Sequence, residues 1–107
     1  MALILSLETA TDNCSVALHD KGQLIASASH LESGAHSRVL PLLINQVMNQ
    51  AGSSFHELKA VAVSEGPGSY TGLRIGTSTA KGLAFSLDIK LLAIDTLKGL
   101  AHLARSQ

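Results

Sequence analysis

A glycine-rich loop between an apolar run and a helical pattern is the part of the chain whose residue types could do chemistry. Residues 64–76 read SEGPGSYTGLRIG, and five of the nine glycines lie between Gly66 and Gly82. The free N–H groups of a helix that starts after such a loop form a ready anion site. However, a Walker loop or a dinucleotide fingerprint that starts at Gly66 would need glycine where Thr71 stands. The spacing therefore excludes both nucleotide motifs.

Four polar residues expected in the first turn of the chain form a second candidate group. They are Glu8, Thr9, Thr11 and Asp12. A carboxylate beside hydroxyls could hold a hydrated Mg²⁺ ion. The same residue types also favour turns, because their side chains hydrogen-bond to the nearby backbone. This local role is the preferred interpretation.

The histidines do not follow a metal-binding spacing. His30 and His36 are separated by five residues that include Glu32, whereas an HExxH motif places two histidines on one helical face. We therefore interpret both as solvated loop histidines. The remaining histidines are scattered along the chain, at His19, His56 and His102. The sequence thus predicts no metal site.

The nucleophilic residues lack the neighbours that catalysis requires. The loop hydroxyls of residues 69–71 are not surrounded by the G-x-S-x-G pattern of a nucleophile elbow. Cys14 is expected within a strand, where it packs in the core instead of acting as a nucleophile. Arg74 could bind a carboxylate across an interface or point to solvent, and both interpretations stay open. The sequence predicts no catalytic residue and no cofactor-binding residue.

Short strands and three helices are expected to position these residues. Apolar and alternating runs predict five strands, at Ala2–Leu7, Cys14–His19, Leu24–Ser29, Ala60–Ser64 and Leu91–Ile94. Helical spacing predicts a helix with Ser37 as its N-cap, Pro41 in its first turn and Gly52 at its end. Further helices are expected over Leu73–Leu87 and after Asp95.

The order of these elements, βββαβαβα, limits the topology. Three strands joined by tight turns predict an antiparallel meander, and the βαβα units that follow add parallel strands to the same sheet. We expect a mixed five-strand sheet with helices on its faces, in which the first strand pairs with the second and the fourth. A chain of 107 residues predicts a single domain.

Small residues recur at every fourth position of the helix after the loop, at Gly72, Gly76, Ala80 and Ala84. Such residues lie along one stripe of a helix. A glycine inside a helix costs roughly 1 kcal/mol relative to alanine, so the stripe needs the compensation that close helix packing gives. Two interpretations stay open: the stripe packs on the chain's own sheet, or it receives the helix of a partner.

Composition narrows the classes of function. Charged residues make up 15% of the chain, below the usual quarter, which favours a surface that is partly covered by another protein. The net charge is zero, so no electrostatic footprint for nucleic acid is present. The single cysteine fits a reducing compartment, and the sequence shows neither a signal peptide nor a run long enough to span a membrane. We therefore expect a cytoplasmic protein.

Three stretches of the sequence resemble one family. GPGSYTGLRIG followed by AKGLA, ILSLETATDNCSVAL near the start and HSRVLPLLI over residues 36–44 are similar to the TsaB (YeaZ) proteins, of the glycoprotease-like family. The resemblance covers nearly the whole chain. Glu8 stands where the family usually has aspartate, and Arg38 stands where glutamate is common. Family members are considerably longer, so residues 1–107 resemble their N-terminal lobe alone.

The resemblance implies a fold and a function. The fold is a ribonuclease H-like lobe of the actin-like ATPase (ASKHA) type, and the function is that of a non-catalytic accessory subunit in tRNA modification. Such a subunit dimerises with the catalytic TsaD-type transferase that forms threonylcarbamoyladenosine on tRNA, together with a TsaE-type ATPase. No cofactor and no direct tRNA binding by this lobe are implied. The alternative is an enzyme acting by itself, either an actin-fold ATP-dependent enzyme or a metallopeptidase-like protein.

The partner site is expected on the first two helices, because the family resembles proteins that pair through the helices of their first lobes. In the isolated lobe the same patch is expected to form a homodimer, and Gly76→Leu is expected to leave the chain folded but to abolish association. The expected interface residues are Leu40, Leu43, Ile44, Val47, Gly72, Arg74, Gly76, Ala80 and Ala84.

Overall fold

A computed structural model describes residues 2–95 as five strands, two α-helices and one 3-10 turn. The strands are β1 (Leu3–Glu8), β2 (Asn13–Asp20), β3 (Gln23–Leu31), β4 (Leu58–Gly66) and β5 (Lys90–Asp95). The helices are α1 (His36–Ala51) and α2 (Tyr70–Leu87), and the 3-10 turn (Phe55–Glu57) precedes β4. The helix expected after Asp95 lies outside the described residues.

The strands form one mixed sheet in the order β3-β2-β1-β4-β5. β1 pairs antiparallel with β2, with Leu5 opposite Leu18, and parallel with β4, with Leu5 opposite Val61. β5 extends the sheet in parallel beyond β4. Both predicted pairings of the first strand are therefore confirmed, because short connections leave β1 between its hairpin partner and the strand that returns after α1.

Alternation along the central strands places the core on one face of the sheet. Leu3, Leu5 and Leu7 are buried and alternate with half-buried residues, as the two-residue period of a strand requires. They belong to one buried cluster with apolar residues of α1 and with Ala80 of α2. α1 packs on β2 and β3, whereas α2 packs mainly on β4. Both helices thus lie over the face to which these leucines point.

α1 ends where the sequence predicts but begins earlier than predicted. Gly52 ends the helix with a left-handed φ of 64°, as predicted from its freedom at positive φ. The helix starts earlier than expected: Ala35 is the N-cap residue, and it makes no side-chain cap. Pro41 consequently lies inside the helix, where it cannot donate an N–H to the preceding turn. The predicted N-cap at Ser37 is wrong.

Candidate functional site at the glycine-rich loop

The glycine-rich loop brings the start of α2 against the turn between β1 and β2. Ser69 is the N-cap residue, and its hydroxyl accepts a hydrogen bond from the N–H of Gly72 at 3.3 Å. The N–H of Ser69 itself donates to the carbonyl oxygen of Ala10 at 2.7 Å. α2 therefore begins at Tyr70, earlier than Leu73, and the serine cap was the signal that could have located it.

Glycines allow the closest contacts at this junction. A Cβ added to Gly68 would overlap the carbonyl oxygen of Ala10, and one added to Gly72 would overlap the carbonyl oxygen of Thr9. One turn further along, a Cβ on Gly76 would overlap the Thr9 hydroxyl. The backbone of the β1–β2 turn thus occupies the space that side chains on α2 would fill. Contact with Thr9 of the chain's own β1–β2 turn therefore explains why Gly72 and Gly76 of α2 are glycines.

The small-residue stripe packs on the chain's own sheet, which corrects the expected interface. All four stripe residues are buried, and so are the four apolar α1 residues predicted to touch a partner, because each helix turns this face toward the sheet. The residues corrected in this way are Gly72, Gly76, Ala80, Ala84, Leu40, Leu43, Ile44 and Val47. A leucine at Gly76 would meet Thr9 and Val63, so we expect Gly76→Leu to destabilise the fold.

Two of the four polar candidates near the first turn, Glu8 and Thr11, hydrogen-bond to the local backbone. An Oε1 atom of Glu8 accepts a hydrogen bond from the N–H of Ala10 at 3.0 Å, and Oγ1 of Thr11 accepts one from the N–H of Asn13 at 3.2 Å. Thr9 is fully buried, and its hydroxyl has no hydrogen-bond partner within the part of the chain that the structure describes. These contacts are the local hydrogen bonds that the preferred interpretation expected.

The two histidines that suggested zinc have different environments. His30 is exposed, and its Nε2 lies 2.8 Å from Oε1 of Glu32. It is solvated as expected, but it lies in β3 and not in a loop. His36 is buried in the first turn of α1, and its Nε2 lies 2.6 Å from the carbonyl oxygen of Thr11. The interpretation of His36 as a solvated loop histidine is wrong, because the helix starts at this residue. Its ring instead ties α1 to the β1–β2 turn.

Glu32 joins the end of β3 to α1 through charge. Both carboxylate oxygens of Glu32 accept hydrogen bonds from Nη2 of Arg38 at 2.8 Å. The hydrogen bonds from His30 and then from Arg38 lower the pKa of the Glu32 carboxyl. The group is solvent-exposed, so the pairing contributes little to stability. Its consequence for the surface is that the one basic residue of α1 is neutralised.

Two titratable groups of β2 are enclosed by the fold. Cys14 is buried, and burial raises the pKa of its thiol, which confirms it as a core residue. His19 is also buried, burial lowers its pKa, and Nδ1 has no hydrogen-bond partner among residues 2–95. Within the same residues, no group of three or more His, Cys, Asp or Glu side chains could hold a metal ion.

The sequence pointed to only one residue, Arg74, of the outer face of α2. We use this name for the exposed residues Tyr70, Arg74, Ser78, Lys81 and Phe85. Their spacing of four, four, three and four residues places them along one side of the helix, and this spacing was the signal that could have found them. The guanidinium of Arg74 lies 5.6 Å from the centre of the Tyr70 ring. A shallow cleft of about 400 Å³ lies between Ser37 of α1 and three of these residues, Tyr70, Arg74 and Ser78.

Comparisons with known proteins agree with this fold. A model of the family described as "TsaD: tRNA N6-adenosine threonylcarbamoyltransferase" matches residues 29–107. The solved structure of YeaZ from Pseudomonas aeruginosa superposes with a TM-score of 0.87 and 34% identity, over 100% of this chain and 50% of that one. The likeness confirms the actin-like, ribonuclease H-like class of the lobe. No helix within residues 2–95 is long and apolar enough to cross a membrane.

Relatives by sequence carry two different descriptions. The chain is 36% identical over 99 residues to the tRNA threonylcarbamoyladenosine biosynthesis protein TsaB of Escherichia coli, covering 92% of this chain and 42% of that protein. It is 35% identical over 114 residues to the tRNA N6-adenosine threonylcarbamoyltransferase of Methylobacillus flagellatus, covering 33% of that protein. The chain thus spans less than half the length of either relative. It belongs to the family that the matching model describes and, within it, to the TsaB (YeaZ) group.

Proposed function

We propose that the chain is the first lobe of a non-catalytic accessory subunit, which supports a TsaD-type transferase in forming threonylcarbamoyladenosine on tRNA. The observation that carries the proposal is that backbone carbonyl oxygens lie against the start of α2. The carbonyl oxygens of Thr9 and Ala10 face this helix end, and the latter accepts the N–H of Ser69. Carbonyl oxygens carry partial negative charge, so they disfavour a phosphate where a helix start otherwise attracts one.

The polar residues near this junction support the same proposal. Glu8 and Thr11 are engaged with the backbone of their own turn, so neither is held ready for a metal-bound nucleotide. The Thr9 hydroxyl is buried and has no path to a substrate. A lobe arranged in this way supplies a surface instead of a reaction centre, which suits an accessory role.

A catalytic role is the second candidate, because relatives named as the transferase itself align with the chain. The actin-fold ATP-dependent enzyme is the form of this alternative that the sequence raises. It would require nucleotide to enter beside the β1–β2 turn, which must then move away from Gly68 and Gly72. Turnover of ATP by the chain alone distinguishes it from the accessory role.

The proposed partners are a TsaD-type subunit and a TsaE-type ATPase, and the isolated lobe is proposed to self-associate weakly. Direct tRNA binding is not proposed, because the chain has no net charge. Contact with the TsaD-type subunit is placed on the exposed sides of α1 and α2, where Arg74 is the one residue kept from the expected interface. Leu42 of α1 is 61% exposed there and gives the surface an apolar component.

Reconstitution tests the function. The chain is co-expressed with the TsaD-type protein of the same source, the complex is isolated by size exclusion, and threonylcarbamoyl transfer to tRNA is measured with and without the chain. We expect the chain to co-elute, to raise transfer by the partner, and to hydrolyse ATP no faster than buffer by itself. Hydrolysis by the isolated chain that is lost on Glu8→Ala would support the enzyme alternative, and failure to co-elute would contradict the accessory role.

A further inference from the structure

The two helices carry an uneven share of the chain's charge. The whole chain has eight basic and eight acidic residues, yet α1 and α2 contain no aspartate or glutamate. Their basic residues are Arg38, Arg74 and Lys81. The acids that flank α2 in the sequence, Glu65 and Asp88, lie outside it. The exposed side of the helix pair is therefore basic on a protein that is neutral as a whole.

Only two of these bases are available to a partner. Arg38 is held by both carboxylate oxygens of Glu32. Neither Arg74 nor Lys81 forms an ion pair with any residue between 2 and 95. Both lie on the outer face of α2, seven residues apart, which corresponds to about 10 Å along a helix. Two uncompensated positive charges thus stand two turns apart on one side of α2.

Apolar groups flank these charges at both ends. The ring of Tyr70 is 74% exposed at the start of the helix, and that of Phe85 is 91% exposed near its end. Gly82, beside Phe85, has open space where a side chain would project, so another backbone can approach closely there. Exposed aromatic rings around charged groups are typical of surfaces that bind proteins.

We propose that the outer face of α2 docks on an acidic surface of its partner, one that presents two carboxylates about 10 Å apart opposite Arg74 and Lys81. The proposal rests on the accessory role and adds the chemistry of the partner's surface. The aromatic rings of Tyr70 and Phe85 bury apolar residues on either side of the two ion pairs. Electrostatic complementarity of this kind sets which partner is accepted more than it sets total affinity.

Two other occupants fit the charges less well. A second copy of the chain would bring Arg74 and Lys81 toward the same pair of bases, which adds repulsion. Nucleic acid binding at physiological salt requires several phosphate contacts, whereas this face offers two free bases. Salt distinguishes the acidic partner from a second copy of the chain. A complex with an acidic partner weakens as salt rises, whereas a homodimer strengthens because salt screens the repulsion.

The test measures the dissociation constant of the complex with the TsaD-type protein by calorimetry, at 50 mM and 500 mM NaCl. The variants are Arg74→Glu, Lys81→Glu and the double reversal. Lys21→Glu, in the β2–β3 turn on the other half of the sheet, is the control with the same change of charge as each single reversal. We expect the double reversal to weaken binding at 50 mM NaCl by about 30-fold or more, and the control to change it less than about two-fold.

The outcomes separate this proposal from the accessory role. If the wild-type chain binds at neither salt concentration, the accessory role fails and the proposal with it. If it binds but the double reversal and the control behave alike, the accessory role stands and the acidic docking surface is wrong. Self-association that strengthens with salt and competes with the partner would assign the face to a second copy. If the double reversal loses binding to a tRNA probe but still binds the partner, the outer face of α2 would be assigned to nucleic acid.

Discussion

The two sides of α2 differ in how tightly they are packed, although they belong to one helix. On the inner side, Gly72 and Gly76 sit against Thr9 so closely that a single methyl group would overlap it. On the outer side, Gly82 faces open space, and Phe85 beside it is almost fully exposed. The inner glycines are therefore explained by the fold of this chain, whereas the outer one is not. Only the unexplained side can carry information about a partner.

The largest effect is expected from Gly72→Ala. Its new Cβ would overlap the carbonyl oxygen of Thr9, a backbone atom that directly follows β1 and cannot move without shifting the β1–β2 turn. We expect a loss of about 3 kcal/mol or more in the free energy of unfolding, measured by urea denaturation. A stability within about 0.5 kcal/mol of the wild type would show that α2 does not pack closely on Thr9 here.

A smaller and repairable loss is expected from Gly76→Ala. Its Cβ would overlap the hydroxyl oxygen of Thr9, a side-chain atom, and would lie 3.3 Å from Cγ2 of Val63. The variant should cost about 1–3 kcal/mol, and Thr9→Ala should restore part of this because it removes the overlapping oxygen. We expect a favourable coupling of at least about 1 kcal/mol in the double-mutant cycle.

The control is a second double-mutant cycle, which combines Gly72→Ala with Thr9→Ala. Thr9→Ala leaves the Thr9 carbonyl in place, so it should not rescue Gly72→Ala. Equal rescue of both variants would contradict the assignment of one contact to the backbone and the other to the side chain. A rescue confined to Gly76→Ala would show that Gly72 packs on the backbone of Thr9 and Gly76 on its side chain.

The sequence predicted the sheet well because its signals are local. Alternating residues such as those around Leu5 give the strands, and short connections leave few ways to pair them. The direction of the stripe at Gly76 was not predictable in the same way, since a period of four residues locates a stripe but does not say what lies opposite it. The contact with Thr9 joins residues distant in the sequence. His36 was misplaced for a similar reason, because its helix start has no side-chain cap at Ala35.

A moderate loss of stability is expected at acidic pH from His19, which lies on β2, away from α2. Burial lowers the pKa of His19, so the unfolded chain takes up the proton first as the pH falls. Stability should decrease once the pH drops below about 6.5, the ordinary value for histidine, and should level off below the folded pKa. Denaturation at pH 7.5 and 5.5 measures this, with His19→Gln as the control.

The His19→Gln control also shows whether a loss at acidic pH comes from unfolding or from the outer face of α2. His19 lies on β2, outside the outer face of α2, so a loss of folded protein that depends on His19 does not arise from the outer face. If His19→Gln loses as much stability between the two pH values as the wild type, another group is responsible. A flatter profile for the variant would assign the acid sensitivity to the buried ring of β2.

The smallest effect, and the one that addresses the outer side, is expected from Gly82→Ala. Alanine is favoured over glycine inside a helix, and nothing lies within 4 Å of the new Cβ, so the free chain should gain about 0.5–1 kcal/mol. Gly52→Ala is the matched control, because Gly52 also faces open space but has a φ of 64° and should lose about 1 kcal/mol. If a partner backbone approaches Gly82, the stabilised variant should bind the TsaD-type protein more weakly. Equal or tighter binding by Gly82→Ala would mean that no close approach occurs there, and that Phe85 and the two bases alone define the contact.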